Sequence, residues 1–271
     1  MRVSPDKYLN HSVKSWVAIA LIGQWFFALY IFGIYALPAL TGNSELTYTL
    51  SPTKGVNSES DFDSFMFFTH ILPAIFMALS GLFQLFPKIR AKYPKFHRYN
   101  GRMFFTLGFA GAITGLYLSF LGNSSLTEVS AIGIRINGLL ILIAIGIAWL
   151  YAVKRNFKAH QRFAIHSFIL VNGVWSFRLY LFGWYLLNQG QNGNTNKLDG
   201  PADIAISFAC YLLPMAIAEL YFYTQRKRNQ LLTWFTVIMT TVGAILTFIG
   251  IIAAGLFIWI PKLTSLVQAI F

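Results

Sequence analysis

A chain of 271 residues that is 56% hydrophobic and 11% charged, with mean hydropathy +0.58, is too apolar for a soluble globular domain. Its formal net charge of +12 sits in short connections between apolar runs, which excludes a nucleic-acid interface as the reason for the basic balance. The single cysteine, Cys210, excludes an internal disulfide and a cysteine-built metal site.

The N-terminal segment is polar through Lys14, and the first apolar run, Trp16 to Leu40, is longer than a signal-peptide core and lacks a small-residue cleavage site. It reads as a retained helix near residues 15–40. Further spans are expected near 64–86, 103–121, 131–153, 163–187, 203–223 and 231–260. The fold class is therefore all-α: an integral membrane helical bundle of about seven transmembrane helices in a single domain, 1–271. The segments Thr41 to Asp63 and Asn188 to Asp203, rich in Ser, Thr, Asn and Gly, read as flexible loops. The sequon Asn123-Ser124-Ser125 carries no weight in a bacterial chain.

Charge alternates between the connections. One side holds Arg2, Lys7 and Lys14; Lys88, Arg90, Lys92, Lys95, Arg98 and Arg102; Lys154, Arg155, Lys158 and Arg162; and Arg226, Lys227 and Arg228. The other holds Lys54, Lys197 and Lys262, together with most of the acids, including Glu45, Glu59, Asp61 and Asp63. The positive side is expected to be cytoplasmic, which puts the N-terminus inside and the C-terminus outside a bacterial inner membrane. The lipid bilayer is the expected partner, with anionic headgroups drawn to the basic face.

Ionisable residues inside spans carry the functional information, since each costs at least about 2.5–3.5 kcal/mol on insertion scales and should face the bundle interior. His70, Arg135 and Arg178 fall in the outer halves of three spans, with Asn137 and Asn172 below them. They form a candidate ligand-binding cluster with no acid at that depth. Glu128 and Asp203 at the rim are the only protein counter-ions, and an anionic ligand would also balance the charge. The competing reading is that each arginine pairs with a rim acid and helix-end carbonyls, tying helices together.

A second cluster lies at the basic boundary. His97-Arg98, with Gly101-Arg102, leads into the third span, and His160-Gln161-Arg162-Phe163-Ala164-Ile165-His166 leads into the fifth; Gln84 and Glu219 lie at similar depth. Histidines on separate helices are what a bis-histidine haem b needs, so His97 with His160 or His166 is the permitted pair, and His97 and His160 are the candidate metal ligands. Arg98, Arg102 and Arg162 suit the propionates. His160 and His166 are six apart, about 120° from facing alike on a regular helix, so they do not ligate one iron together. The competing reading is that these groups bind lipid phosphate and end helices.

Gly108, Gly111 and Gly115 form a small-residue stripe suited to close packing, with Gly81 on the His70 face. Pro73 and Pro214 are expected to kink their spans. Trp16, Trp149, Trp184, Trp234 and Trp259 read as interfacial anchors, whereas Trp175 lies deeper.

The order His70, Gly81, Gln84, His97-Arg98, Gly101-Arg102, His160-Gln161-Arg162-Phe163 and Arg178 resembles a widespread group of bacterial multipass membrane proteins catalogued as a predicted membrane protein domain of unknown function. The resemblance covers about residues 64 to 225. It implies that His70, His97, Arg98, His160 and Arg178 are the positions to test, and it departs at Phe163, where a tryptophan is expected, and at His166, where an arginine is expected. No activity comes with it. Three functions follow from the residues: a haem b redox protein exchanging electrons with a quinone; a non-enzymatic binder or transporter of an anionic amphiphile at His70, Arg135 and Arg178; and a membrane enzyme acting on a lipid or isoprenoid, with Glu219 and His70 as acid and base.

Overall fold

Backbone amides in lipid have no water to bond, so an apolar run closes its hydrogen bonds within itself. A computed structural model describes residues 4–51, 61–121, 127–227 and 229–270, and every regular element among them is helical. Arg2, Lys54, Glu59, Arg228 and the 123–125 sequon lie outside the described residues.

Helix α1 (Pro5–Ile31) runs through a π-helical turn, Phe32–Ala36, into α2 (Leu37–Leu40). Helix α3 (Ser44–Leu50) follows, inside a segment expected to be a loop, and α4 (Asp61–Ile71) and α5 (Pro73–Ser80) make one span interrupted at Leu72, where Pro73 withholds its amide. A short α6 (Pro87–Lys92) leads to α7 (Pro94–Phe120), then α8 (Glu128–Val153). Next come α9 (Phe157–Val171), α10 (Gly173–Leu187) and α11 (Pro201–Lys227), the last running on through Pro214. Helix α12 (Gln230–Ala254) continues through a second π-helical turn, Gly255–Trp259, into α13 (Ile260–Ile270). Side-chain oxygens of Thr127, Asn156 and Asn229 cap the amides that open α8, α9 and α12.

Among the described residues, six helical segments are long and apolar enough to cross a membrane, and a seventh crossing forms if α9 and α10, bent 55° at their junction, count as one span. The expected helix over 163–187 is thus two half-helices. Its apolar stretch contains Asn172-Gly173, which ends one helix and opens the next.

Lipid offers no hydrophobic drive for helix association, so close packing and hydrogen bonds must supply it. Helices α1 and α12 run parallel: Tyr8 meets Trp234, Ser12 Oγ meets Thr240 Oγ1 at 2.8 Å, and Trp16 Nε1 donates to Thr247 Oγ1 at 2.9 Å. Trp16 also covers Gly243, and Trp259 is fully buried beside Phe26, Phe27 and Tyr30. These two tryptophans are packing residues, not interfacial anchors. Helix α7 runs antiparallel to α4–α5, from the Tyr117–Asp63 bond of 2.9 Å to the Asn100–Ser80 bond of 3.0 Å, and its other side meets α8. Helix α9 lies on α8 and α11, while α10 lies on α12 and α11. The broken span therefore stands between the two halves of the bundle.

The segment from Asn188 to Asp203 is an ordered cap. Asp203, 1% exposed, accepts from Asn194 Nδ2 (2.7 Å), the Thr195 amide (2.9 Å) and the Gly200 amide (3.1 Å). A buried carboxylate with three donors fixes the loop that a Gly- and Asn-rich composition marks as flexible.

Candidate functional site

The break at Asn172 is where polar groups enter the apolar interior. Where α9 ends in mid-span, amide side chains add donors to the carbonyls that the Asn172 backbone amide caps: Asn172 Nδ2 donates to Phe168 O at 2.8 Å, and Asn137 Nδ2 on α8 donates to Leu170 O at 3.1 Å. Gln24 on α1, 1% exposed, donates from Nε2 to Asn172 Oδ1 at 2.8 Å. Gly173 is needed beside them, because a Cβ there would stand 2.7 Å from Asn137 Nδ2.

Beyond the break, α10 carries Arg178. Its guanidinium stands over the Phe27 ring at 5.7 Å and donates from Nη1 to Val174 O of its own helix at 3.2 Å. No carboxylate pairs with it among the described residues. Its charge acts on His70 of α4 and on Tyr30 of α1. Arg178 lies nine residues from the end of α10, Tyr30 ten from the end of α2 and His70 nine from the start of α4, about 14–15 Å in each case at 1.5 Å per residue. The Tyr30 hydroxyl and the Trp259 indole N–H are buried without a hydrogen-bond partner among the described residues, and their rings lie 6.4 Å apart beside Phe27. His70 Nδ1 bonds to Gly111 O at 2.8 Å, so it carries the proton and leaves Nε2 as the lone-pair nitrogen. The Phe27 ring thus lies under an uncompensated cation and beside the rings of Tyr30 and Trp259, which carry the two idle donors.

Arg135 does not share this environment. It pairs with Glu128 at 2.5 and 3.1 Å, donates to Ser119 Oγ (3.1 Å) and Ser119 O (2.7 Å), and covers the Phe120 ring at 4.3 Å. Its charge is already matched, so the expected cluster reduces to His70 and Arg178.

At the basic end, Gln84 joins His97 to the start of α7. With its amide oriented to satisfy its neighbours, Gln84 Nε2 donates to His97 Nδ1 (2.9 Å) and Oε1 accepts from Asn100 Nδ2 (2.5 Å) and the Gly101 amide (3.3 Å). His97 and His160 are close enough to interact electrostatically, and His160 Nδ1 donates to Ala148 O at 2.9 Å. The geometry gives haem no support: with Gln84 so oriented, a neutral His97 accepts at Nδ1 and carries its proton on Nε2, the nitrogen an iron would take. Arg162, expected at a propionate, instead binds Glu219 through both of its oxygens at 2.6 Å, and Arg98 and Arg102 are exposed. Among the described residues no three His, Cys, Asp or Glu side chains gather as metal ligands.

His166, set aside in the sequence, is buried and bonds from Nε2 to Glu219 Oε1 at 2.6 Å. The signal for it was present: Arg162 and His166 are one turn apart on one helix face, and Glu219 lies at matching depth. His70 and Glu219 belong to separate groups with no contact between them among the described residues, so they do not form one acid–base pair.

Residues 67–222 match the model of a family described as predicted membrane protein (DUF2306). No curated protein and no solved structure matches the chain.

Proposed function

We propose that the chain, which belongs to the DUF2306 family of predicted membrane proteins, binds an anionic amphiphile inside its helical bundle, as a non-enzymatic binder or transporter, with the headgroup at Arg178. The basic loops are read as cytoplasmic, with the N-terminus inside and the C-terminus outside a bacterial inner membrane, and as contacts for anionic headgroups.

One observation carries this reading: a guanidinium inside the broken span, with no carboxylate partner among the described residues, stands over the Phe27 ring, which also meets the rings of Tyr30 and Trp259, whose hydroxyl and indole N–H lack partners among the described residues. Such a charge is costly in hydrocarbon, and an anion that accepts from the arginine and these donors offsets that cost. The aromatic surround of Phe27, Phe26 and Trp259 suits the apolar part of the same molecule. The bend between α9 and α10 supports transport, because discontinuous helices place polar backbone where a solute can be held in mid-membrane.

The test is oleate binding to the purified protein in nanodiscs, followed by intrinsic tryptophan fluorescence, with oleyl alcohol as the uncharged control. Arg178→Gln is expected to weaken oleate binding at least about tenfold, as loss of a charge-assisted contact predicts. Oleyl alcohol should not compete. Equal affinity in the Arg178→Gln protein overturns the proposal.

A further inference from the structure

Helices α1 and α12 leave an open groove between them that the Arg178 site does not use. A space of about 240 Å³ is lined on α1 by Tyr8, His11, Ser12 and Ser15 and on α12 chiefly by Thr241 and Ala244. It is smaller than the roughly 300–1,000 Å³ of drug-sized pockets, which suits a headgroup rather than a whole lipid. The 36 residues from Pro5 to Leu40 extend about 54 Å, against about 30 Å of hydrocarbon, so the ends of this span stand among headgroups. Lys14 is the last charged residue before an uncharged run from Ser15 to Leu40, and the exposed Trp234 of α12 lies 5.2 Å from the Tyr8 ring. Both mark the groove as lying at the membrane boundary.

The polar atoms of the groove are idle. Thr233, Thr236, Thr240 and Thr247 of α12 each donate to a carbonyl of their own helix. Thr241 makes no such bond, nor does Ser15 across the groove; both residues are exposed, and neither hydroxyl has a hydrogen-bond partner among the described residues. His11 Nδ1 donates to Lys7 O at 2.7 Å, which leaves Nε2 open. Elsewhere the exposed faces of the same two helices are apolar, as at Ile22, Leu29, Ile238, Val242 and Ile245, so contact with lipid tails does not call for hydroxyls here. Lys7, His11 and Lys14 follow at i, i+4 and i+7, within an arc of about 60° on α1, so two exposed cations flank the groove on its His11 side. Asp6, the only acid in either helix, lies about 140° around α1 from His11.

We propose that the groove between α1 and α12 holds the headgroup of one anionic phospholipid, its phosphate drawn to Lys7 and Lys14 and its oxygens bonded to the Ser15 and Thr241 hydroxyls. Charge complementarity selects the occupant: two cations and no facing acid favour an anionic headgroup over a zwitterionic one. Both walls lie outside residues 67–222, so the site belongs to helices that flank the family match, and it needs nothing from Arg178.

The experiment is native mass spectrometry of the full chain released from nanodiscs of equal parts phosphatidylglycerol and phosphatidylcholine. One phosphatidylglycerol is expected to stay on each chain in preference to phosphatidylcholine. Replacing both cations, Lys7→Gln with Lys14→Gln, should lower that preference at least about tenfold. Ser15→Leu with Thr241→Leu should fill the groove and release the lipid, and because both positions are exposed the variant should unfold at the parent's temperature. Arg178→Gln should keep the lipid. Equal retention of the two lipids by the parent, or undiminished phosphatidylglycerol on the filled-groove variant, overturns the proposal. So does a dimer that the filled-groove variant dissociates, since a second copy of the chain would then occupy the groove.

Discussion

Arg135 and Glu128, two turns apart on α8, close a two-point ion pair at 2.5 and 3.1 Å, and the same arginine holds the end of α7 through the Ser119 hydroxyl and carbonyl. Glu128 is 83% exposed, whereas the Arg135 side chain is 16% exposed, so water readily replaces the carboxylate but not the Ser119 contacts. Glu128→Gln should therefore leave thermal stability nearly unchanged, as surface ion pairs usually do. Arg135→Gln should lower it measurably, because it also frees Ser119. Both variants should keep oleate affinity within about threefold of the parent, since neither touches Arg178. A tenfold loss in Arg135→Gln would return Arg135 to the ligand site.

The break at Asn172 depends on amide side chains that stand in for helical amides. Asn137→Leu removes the side-chain donor to Leu170 O and leaves that carbonyl only the Asn172 backbone amide. The expected cost is roughly 0.5–1.5 kcal/mol, the range for hydrogen bonds between membrane helices. Gly173→Ala should cost a similar amount or more, because the new Cβ would stand 2.7 Å from Asn137 Nδ2 and 3.1 Å from its carbonyl carbon. Reversible unfolding in mixed detergent measures both. If Asn137→Leu is neutral, the break is held by packing alone.

The same residues mark how far sequence carried the fold. Hydropathy locates the spans because lipid imposes one dominant requirement, a run of apolar residues long enough to cross. It is blind to the bend between α9 and α10, since Asn172-Gly173 barely lowers the mean over 163–187 and no proline marks the place. It is equally blind to the partner of a charge: Arg135 and Arg178 read alike by depth, and only the fold gives one of them Glu128 and leaves the other facing Phe27. The spacing of His166 from His160 says only that the two do not share an iron, while the informative spacing is the single turn from Arg162 to His166. The Asn188–Asp203 cap was hidden for a third reason. Its order comes from one buried carboxylate, and composition does not register where a carboxylate points.

Helices α10 and α12 come into close backbone contact at Gly250. A Cβ on Gly250 would lie 2.7 Å from Leu179 O and 3.0 Å from Leu179 C, backbone atoms that a rotamer change does not move. On Gly183, across the same interface, a Cβ would lie 3.6 Å from Gly250 Cα, an ordinary contact. Gly250→Ala should therefore force the helices apart and cost about 1–3 kcal/mol, as overpacking does, whereas Gly183→Ala should be close to neutral. Because Leu179 follows Arg178, Gly250→Ala is also expected to weaken oleate binding. The contrast is read from thermal stability and oleate titration of the two variants, and equal behaviour would show that the interface yields without cost.

His70 rests on α7 through Nδ1, which meets Gly111 O and, at 3.2 Å, Thr114 Oγ1, and through one close approach of the ring, and these can be separated. Its Nδ1 donates to Gly111 O at 2.8 Å, while its Cε1 lies 2.8 Å from the position a Cβ on Gly115 would take. Gly115→Ala must push the ring aside and strain or break the bond to Gly111, which unsettles the proton on Nδ1. A Cβ on Gly111 meets nothing within 4 Å, so Gly111→Ala leaves the ring in place. If His70 helps to hold the headgroup at Arg178, Gly115→Ala should weaken oleate binding several-fold, Gly111→Ala should not, and the Gly115→Ala effect should vanish in a His70→Ala background. That double-mutant cycle separates a contribution through His70 from general loosening of α4 and α7: additive losses would mean that the histidine packs the helices and takes no part in binding.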